Sequence, residues 1–276
     1  MNQRLKRPLL LMGCGKMGGA MLEGWLKSGI AAAGVTIVDP YQNEDFAKHP
    51  DVTYYDTAET VPADLNPEVI LLAVKPQQMD DALAAYKKFA KPDTVFISVA
   101  AGKTIAYFES HLGAEAAVIR AMPNTPAAIG QGITVCCPNK NVSSAQSEMG
   151  ITLLQAVGEA YNVDDESLID PVTALSGGGP AYVFWMIETM TEAGIKAGLP
   201  EDLSARLSLM TVAGAGQLAL STAGEIEPSQ LRINVTSPGG TTAEALAVLM
   251  NEENGLQPIM TQAIQAATDR SIELAK

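Results

Sequence analysis

Cysteine and histidine are scarce in this chain of 276 residues. There are three cysteines, Cys14, Cys136 and Cys137, and two histidines, His49 and His111. Their number and spacing match neither a disulfide framework nor a tetrahedral zinc site, so we expect no metal centre. Unpaired cysteines are typical of a reducing compartment, and the apolar stretch after the basic N-terminus is too short for a secretory leader. We therefore expect a cytoplasmic protein.

Positive charge and long apolar runs are also lacking. Lysine and arginine total 18 against 31 aspartates and glutamates, which gives a net charge of −13. Such a chain is repelled by phosphate backbones and anionic lipid, and no window approaches the ~18 apolar residues of a membrane span. We expect neither nucleic acid nor a membrane as partner. An anionic small molecule stays compatible with this charge, because backbone N–H groups at a helix N-terminus can bind it.

The distribution of apolar residues divides the chain into two parts. In the first part, short apolar runs alternate with helix-like stretches, at about residues 8–12, 35–38, 69–74, 94–99, 117–119 and 133–136. This alternation predicts an α/β fold with a parallel sheet buried on both faces. From about residue 165, helical spacing and glycine–proline breaks predict helices at about residues 180–197, 200–222, 241–252 and 257–274. We predict an α/β domain over residues 1–165 and an all-α domain over residues 166–276.

A glycine-rich turn follows the first predicted strand and opens a helix. It reads Gly13-Cys14-Gly15-Lys16-Met17-Gly18. In a dinucleotide-binding fold the first glycine makes the tight turn, the second lets the backbone approach the pyrophosphate, and the third lets helix and strand pack closely. Asp39, at the end of the second predicted strand, stands where an acid binds the ribose. The pattern predicts dinucleotide binding; the alternative is that the glycines serve only a tight strand–helix turn.

Asp39 also bears on the choice of cofactor. Its carboxylate can accept a hydrogen bond from the 2′-hydroxyl of NADH, and it repels the 2′-phosphate of NADPH. Residues 40–43 contain no arginine or lysine to offset that repulsion. The sequence therefore favours NADH over NADPH, and a displaced Asp39 side chain would reverse this expectation.

Five further segments carry a resemblance to a known family. They are Ala73-Val74-Lys75-Pro76, Ser98-Val99-Ala100-Ala101-Gly102, Arg120-Ala-Met-Pro-Asn-Thr-Pro126, Ser176-Gly-Gly-Gly-Pro-Ala-Tyr182 and Ser237-Pro-Gly-Gly-Thr-Thr242. In this order, over about residues 8–274, they resemble pyrroline-5-carboxylate reductase. The resemblance implies an N-terminal Rossmann-type doubly wound sheet, an all-α C-terminal dimerisation domain, and a homodimer or higher oligomer. It also implies hydride transfer from NADPH or NADH to the C=N bond of 1-pyrroline-5-carboxylate, which gives L-proline in the last step of proline biosynthesis.

The resemblance also implies which residues contact the cofactor. With Asp39 from the ribose position, the set is Gly13, Cys14, Gly15, Lys16, Met17, Gly18, Asp39, Ala73, Val74, Lys75, Pro76, Ser98, Val99, Ala100, Ala101, Asn124 and Asn234. Lys75 lies just past the carboxyl end of a strand, where a doubly wound sheet binds nucleotides; the alternative is a solvated lysine. Asn124 lies between two prolines, in a stiff loop that either holds the nicotinamide or only turns the chain.

The segment Ser237–Thr242 has the features of an anion site. Proline and two glycines form an open turn and a helix follows, so backbone N–H groups and two hydroxyls meet at a positive helix end. That arrangement suits a carboxylate; the alternative is an ordinary helix N-terminus with Glu244 in its first turn. The resemblance implies that the backbone of Gly240 and Thr241 holds the substrate carboxylate and that the Thr242 hydroxyl lies near the ring nitrogen.

Three other positions bear on substrate binding. The resemblance implies a substrate contact for Glu166, although an acidic run such as residues 164–166 is usually a solvated turn. Gly178 stands where the family usually has serine, and Ile233 stands where an acidic or amide residue is common. These two departures affect the expected substrate selectivity and subunit contacts.

Hydride transfer to an imine needs positioning more than a strong acid. Thr242, which would orient the ring nitrogen, is therefore the catalytic candidate, and His49 and His111 lie outside every motif. One alternative is a 2-hydroxy-acid dehydrogenase, which would need a basic lysine on a helix of the second part; Lys196 is the only lysine between residues 180 and 270. Another alternative is a nucleotide-sensing protein, which predicts cofactor binding without turnover.

Overall fold

The computed structural model describes residues 4–275 and, within them, every side chain except that of Asp81. This part of the chain forms two compact units: residues 4–177 together with 267–275, and residues 178–266. The strands all fall in the first unit, whereas the second is helical, as the sequence predicts. The domain boundary between residues 165 and 166 stays a prediction.

The first unit contains one sheet. Its strands are β1 (Leu9–Met12), β2 (Val35–Val38), β3 (Val52–Tyr55), β4 (Val69–Leu72), β5 (Val95–Ser98), β6 (Ala117–Met122), β7 (Gly132–Pro138) and β8 (Gly158–Asn162). Within residues 4–275 these eight strands are ordered β3-β2-β1-β4-β5-β6-β7-β8. The six predicted strands are confirmed. The edge strands β3 and β8 are half-exposed and lack a continuous apolar run, so the sequence pattern does not reveal them.

One pairing departs from the predicted parallel sheet. Strand β7 runs antiparallel to β6, with Cys137 opposite Arg120, whereas the other pairings among the described strands are parallel. The connection at residues 123–131 is too short for the crossover that two parallel strands require. The chain therefore turns back beside β6.

Helices cover both faces of the sheet. In the first unit they are α1 (Lys16–Ser28), α2 (Glu44–Ala47), α3 (Pro76–Leu83), α4 (Ile105–Leu112), α5 (Ser144–Leu154) and α6 (Ile169–Val172). Alternate residues of β1 belong to opposite cores: Leu11 shares one with Trp25 of α1, and Leu10 shares the other with Met79 of α3 and Phe108 of α4. Burial on both faces explains why the central strands read as uninterrupted apolar runs.

The strand order reverses at β1. Strand β2 pairs on one side of β1 and β4 on the other, and the chain crosses the sheet between β3 and β4. In open α/β sheets, ligands bind at the carboxyl ends of the strands that flank such a reversal. The ends of β1, β2 and β4 therefore mark the place to look for a cofactor site.

The second unit is built from helices. They are α7 (Gly179–Lys196), α8 (Glu201–Ser221), α9 (Pro228–Asn234), α10 (Thr241–Leu249) and α11 (Leu256–Leu274), the last of which ends among residues of the first unit. The four predicted helices are confirmed, and α9 is additional. Large apolar side chains are exposed on this unit, among them Phe184, Trp185, Met210, Leu220 and Val248.

None of the helices in the described part of the chain is both long and apolar enough to cross a membrane.

Candidate functional site

The glycine-rich turn has no room for side chains where it meets the end of β4. Gly13 has a φ of +87°, and a Cβ there would lie 2.8 Å from Cγ1 of Val74. A Cβ at Gly18 would collide with the carbonyl oxygen of Gly13, whereas Gly15 faces open space. Gly15 is the N-cap of α1, and neither a side-chain cap nor an acidic first-turn residue blocks this helix end. The turn thus presents an open, positive helix N-terminus that suits a pyrophosphate.

A cleft of about 510 Å³ opens beside this turn, within the size range of small-molecule sites. It lies at the carboxyl ends of β1, β2, β3 and β4. Its lining residues are Met12, Gly13, Gly15, Val38, Asp39, Pro40, Tyr41, Asp56, Thr57, Ala58, Glu59, Ala73, Val74, Lys75, Gln78, Ala82, Ala85 and Tyr86. The structure therefore brings together six of the predicted cofactor residues: Gly13, Gly15, Asp39, Ala73, Val74 and Lys75.

Residues 56–59 line the cleft although no sequence motif points to them. They follow β3, the edge strand that the apolar pattern does not reveal. Once β3 is placed beside β2, its carboxyl end must reach the same edge of the sheet as Asp39. The sequence therefore points to residues 56–59 only if β3 is recognised as a strand.

The carboxylate of Asp39 is hydrogen-bonded to the backbone of the glycine-rich turn. One carboxylate oxygen accepts a hydrogen bond from the backbone N–H of Cys14 at 2.7 Å, and the other accepts from the N–H of Tyr41 at 2.8 Å. Two backbone donors therefore fix the carboxylate on the wall of the cleft, and the side chain is not displaced.

The thiol of Cys14 is partly buried beside Tyr54. The hydroxyl of Tyr54 donates to its Sγ at 3.8 Å. Burial is the main cause that raises the pKa of the Cys14 thiol. Because the thiolate is the nucleophilic form of cysteine, a raised pKa lowers the reactivity of this thiol.

Lys75 and Ser98 stand at the ends of neighbouring strands. Lys75 is exposed and is the N-cap of α3, with Pro76 in the first turn. Ser98 is buried at the end of β5, where its hydroxyl accepts a hydrogen bond from the N–H of Ala100 at 3.3 Å. The segment at residues 98–101 is not part of the cleft lining. Cys14, Lys16, Met17, Gly18, Pro76 and Asn124 also lie outside it.

The side chain of Asn124 is engaged by the protein. Its Oδ1 accepts from the N–H of Ile133 at 3.0 Å, and its Nδ2 donates to the hydroxyl of Ser176 at 3.3 Å. The amide thus connects the loop after β6 to β7 and to the Ser176–Tyr182 segment. These contacts give the chain-turning interpretation of Asn124 a direct structural basis.

Glu166 is bound by a buried arginine that the sequence analysis did not single out. Arg120 is 2% exposed, and its Nη1 donates to Oε1 of Glu166 at 2.9 Å while Nη2 donates to Asp170 at 3.3 Å. The same Oε1 accepts the N–H of Ile105 at 2.8 Å, and Ser271 donates to Asp170 at 2.8 Å. Glu166 is therefore not part of a merely solvated turn.

A sequence signal for this cluster exists. Arg120 interrupts an apolar run in a strand that is buried on both faces. Because a buried charge requires a partner, such an arginine predicts carboxylates packed against the sheet.

In the second unit, the turn before α10 has an open geometry. Gly239 has a φ of +67°, and Gly240 is the N-cap of α10 with no side-chain cap. Thr241 is exposed, and Thr242 is partly buried. The first turn of α10 presents two hydroxyls at a helix N-terminus, which suits a carboxylate. The same turn contains Glu244, and the N–H of Gly240 donates to the carbonyl of Ser237 at 3.0 Å, as an ordinary helix N-terminus would also have it.

Two other predicted or alternative site residues lie on helices of the second unit. Asn234 is exposed at the end of α9, where its Oδ1 accepts from Gln230 at 2.8 Å. The ammonium of Lys196 is 3.1 Å from Glu192, in an exposed ion pair on α7. A lysine paired in solvent is unsuited to the buried catalytic base that a 2-hydroxy-acid dehydrogenase would need.

Comparison with known proteins identifies the family. A pyrroline-5-carboxylate reductase from Pseudomonas aeruginosa is 41% identical over 269 residues, which cover 97% of each chain. The chain belongs to the pyrroline-5-carboxylate reductase family. The pyrroline-5-carboxylate reductase of Escherichia coli is 34% identical over 275 residues, 99% of this chain and 100% of its own.

Solved pyrroline-5-carboxylate reductases share the fold. The structure from Coxiella burnetii has a TM-score of 0.89 at 32% identity, and the Plasmodium falciparum structure with NADP bound has a TM-score of 0.82 at 30% identity. Each covers 99% of this chain and 100% of its own. A family model for pyrroline-5-carboxylate reductase dimerisation matches residues 166–274, and one for NADP oxidoreductase, coenzyme F420-dependent, matches residues 9–102. The predicted family and the Rossmann-type sheet followed by a helical dimerisation region are confirmed.

Proposed function

We propose that this chain reduces the C=N bond of 1-pyrroline-5-carboxylate with NADH or NADPH and so forms L-proline. The observation that carries the proposal is the full-length match to the Pseudomonas aeruginosa reductase at 41% identity. The cleft at the strand reversal supports the proposed binding of the cofactor, and the turn before α10 supports the proposed binding of the substrate.

The cofactor assignment rests on the shape of the first unit. The open backbone at Gly15 and the N-terminus of α1 would hold the pyrophosphate, and Asp39 would accept a hydrogen bond from the adenosine ribose. In the first unit, the proposed set is completed by Cys14, Lys16–Gly18, Ala73–Pro76, Ser98–Ala101 and Asn124. Asn234 would be contributed by the second unit. When bound, the cofactor supplies the hydride.

The substrate assignment rests on the turn before α10. The backbone of Gly240 and Thr241 would hold the carboxylate at the positive end of the helix, where Gly240 offers no competing side-chain cap. Because the N–H of Gly240 donates to the carbonyl of Ser237 at 3.0 Å, a carboxylate bound there would share or replace that turn hydrogen bond. The Thr242 hydroxyl would donate a hydrogen bond to the ring nitrogen, which makes the imine carbon a better hydride acceptor. Glu166 would bind the substrate through the part of its carboxylate that Arg120 and Ile105 leave available.

The helical region would pair two or more copies of the chain. The exposed apolar side chains of α7, α8 and α10 include Trp185, which is 64% exposed, and Val248, which is 71% exposed. An apolar surface of this kind favours a stable partner, and the dimerisation model that matches residues 166–274 favours a second copy. A homodimer or higher oligomer in the cytoplasm is the arrangement we propose.

Thr242→Ala tests the substrate assignment. We expect kcat/KM for 1-pyrroline-5-carboxylate to fall about 10- to 1000-fold, the scale of one lost polar contact to a transition state. The measurement is steady-state oxidation of NADH and of NADPH in parallel. The matched control is Thr261→Ala, whose exposed hydroxyl on α11 donates to the carbonyl of Gln257 and accepts from the side-chain amide of the same residue.

The outcomes separate the alternatives. Turnover by the parent protein, lost in Thr242→Ala and kept in Thr261→Ala, supports the proposal. Binding of either cofactor without any turnover by the parent would leave a nucleotide-sensing protein. Equal turnover by both variants would remove Thr242 from the reaction.

A further inference from the structure

We propose that this protein selects NADH over NADPH, and that Asp56 and Glu59 exclude the 2′-phosphate together with Asp39. The inference rests on the proposed function, because it names which of two cofactors the same cleft accepts. Similarity of fold does not decide between the two cofactors for this chain. The Plasmodium falciparum reductase shares the fold and was solved with NADP bound, and that observation belongs to that protein.

The protein backbone fixes the orientation of Asp39. Its two carboxylate oxygens are held by the backbone N–H groups of Cys14 and Tyr41, at 2.7 and 2.8 Å. A carboxylate held by two main-chain donors cannot swing away from a 2′-phosphate without breaking both of these hydrogen bonds. Each oxygen still has a lone pair for a ribose hydroxyl. The geometry therefore accepts a hydroxyl and opposes a phosphate at the same point.

A second acidic segment, after β3, lies on the wall of the cleft. Asp56 follows β3 directly, and Glu59 lies in the 3₁₀ turn Ala58–Thr60. Both are exposed, and both line the same cleft as Asp39. Strands β2 and β3 are parallel neighbours, with Val38 opposite Tyr55, so the residues after the two strands leave the sheet side by side. Three carboxylates therefore border the region expected for the adenosine ribose.

Negative charge outweighs positive charge on the described lining of the cleft. Among the described residues that line the cleft, Lys75 supplies the one cationic side chain against Asp39, Asp56 and Glu59. Lys88 is near Glu59, but its ammonium donates to the carbonyls of Ala58 and Val61, at 2.9 and 3.2 Å, and it is outside the lining. Phosphate recognition in NADPH-dependent proteins uses an arginine near the acid position, and this lining has none.

The three carboxylates repel a 2′-phosphate and not a 2′-hydroxyl. A phosphate monoester carries about −1.5 to −2 charges at neutral pH, so it meets like charge from three side chains. NADH has a hydroxyl at the same place and meets hydrogen-bond acceptors. Because exposed charges are screened by salt over roughly 10 Å at 0.1 M, the discrimination must weaken as ionic strength rises.

The experiment measures cofactor affinity directly, by the fluorescence of the bound reduced nicotinamide. We expect NADH to bind the parent protein about tenfold more tightly than NADPH, or more, since like-charge contacts strongly disfavour a wrong partner. The double variant Asp56→Asn/Glu59→Gln removes two charges without touching the Asp39 contacts, and we expect it to narrow the ratio about three- to tenfold by tightening NADPH. The matched control is Glu44→Gln/Asp51→Asn, which removes two exposed charges outside the cleft.

The salt series uses the parent protein alone. Raising ionic strength from about 50 to about 500 mM should bring the two affinities together. Equal or tighter binding of NADPH by the parent, or a salt-independent ratio, would overturn the selectivity. A double variant that behaves like its control would overturn the roles of Asp56 and Glu59. Failure to bind either cofactor would instead overturn the proposed function itself.

Discussion

Replacing Arg120 tests how much its buried ion pairs contribute to the stability of the first unit. The guanidinium lies at the sheet, 2% exposed, and binds Glu166 at 2.9 Å and Asp170 at 3.3 Å. Arg120→Met keeps an apolar stem of similar length and removes the charge. Two partly buried carboxylates are then left without their cation.

The magnitude follows from what each partner retains. Removing one member of a buried ion pair costs about 3–5 kcal/mol of unfolding free energy. Here Glu166 keeps the N–H of Ile105 and is 30% exposed, and Asp170 keeps the hydroxyl of Ser271 and is 15% exposed. Within the described part of the chain, Nε of Arg120 has no hydrogen-bond partner, so its removal relieves one desolvation cost. We therefore expect a loss of about 2–4 kcal/mol.

The assay is urea unfolding followed by circular dichroism at one fixed protein concentration, because self-association adds to apparent stability. Arg270→Met is the control: this arginine is 65% exposed and pairs with Glu273 at 2.9 Å, so its loss should cost less than about 1 kcal/mol. If Arg120→Met and Arg270→Met were equally mild, the buried pair would contribute nothing measurable and the reasoning would be refuted.

Two further predictions concern the cofactor turn and the helical surface. Gly18→Ala should weaken NADH binding at least about tenfold and lower the free energy of unfolding by about 1–3 kcal/mol, because the new Cβ collides with the Gly13 carbonyl oxygen. Gly15→Ala should weaken NADH binding and leave stability unchanged, because the position faces open space. Fluorescence titration and urea unfolding of both variants check this, and equal stability would contradict it. Phe184→Glu places a charge on an exposed apolar face of α7 and should lower the assembly mass in light scattering, whereas Ala32→Glu, exposed in the first unit, should not. An unchanged mass for Phe184→Glu would remove that face from the interface.

The sequence predicts the centre of the first unit well because burial on both faces leaves a strong pattern. Strands β1, β2, β4 and β5 each consist of four buried residues, and all of these are apolar except Thr36 and Ser98. The glycine turn is predictable for a different reason: each glycine meets its own steric demand, tight at Gly13 and Gly18 and open at Gly15.

The edges and the charged contacts are less predictable. Strand β3 has four residues, of which Thr53 is exposed and the other three are partly buried. A segment this short has no periodicity that distinguishes it from a loop. Because the sequence pattern does not reveal β3, it does not place Asp56 and Glu59 at the cleft either. Arg120 and Asp170 are 50 residues apart in the chain, and only the packing of α6 beside β6 brings them together.

Glu166 shows why a family residue and a structural residue need different tests. The resemblance assigns it to substrate, whereas its Oε1 holds both the buried charge of Arg120 and the first turn of α4. Loss of activity on substitution of Glu166 could therefore arise from a missing substrate contact or from displaced loops after β5 and β6. Asp170 is the proper comparison, because it binds the same guanidinium but matches no substrate position. A defect in substrate KM that Glu166→Gln shows and Asp170→Asn lacks, at similar stability, belongs to the substrate contact; a shared defect belongs to the arginine.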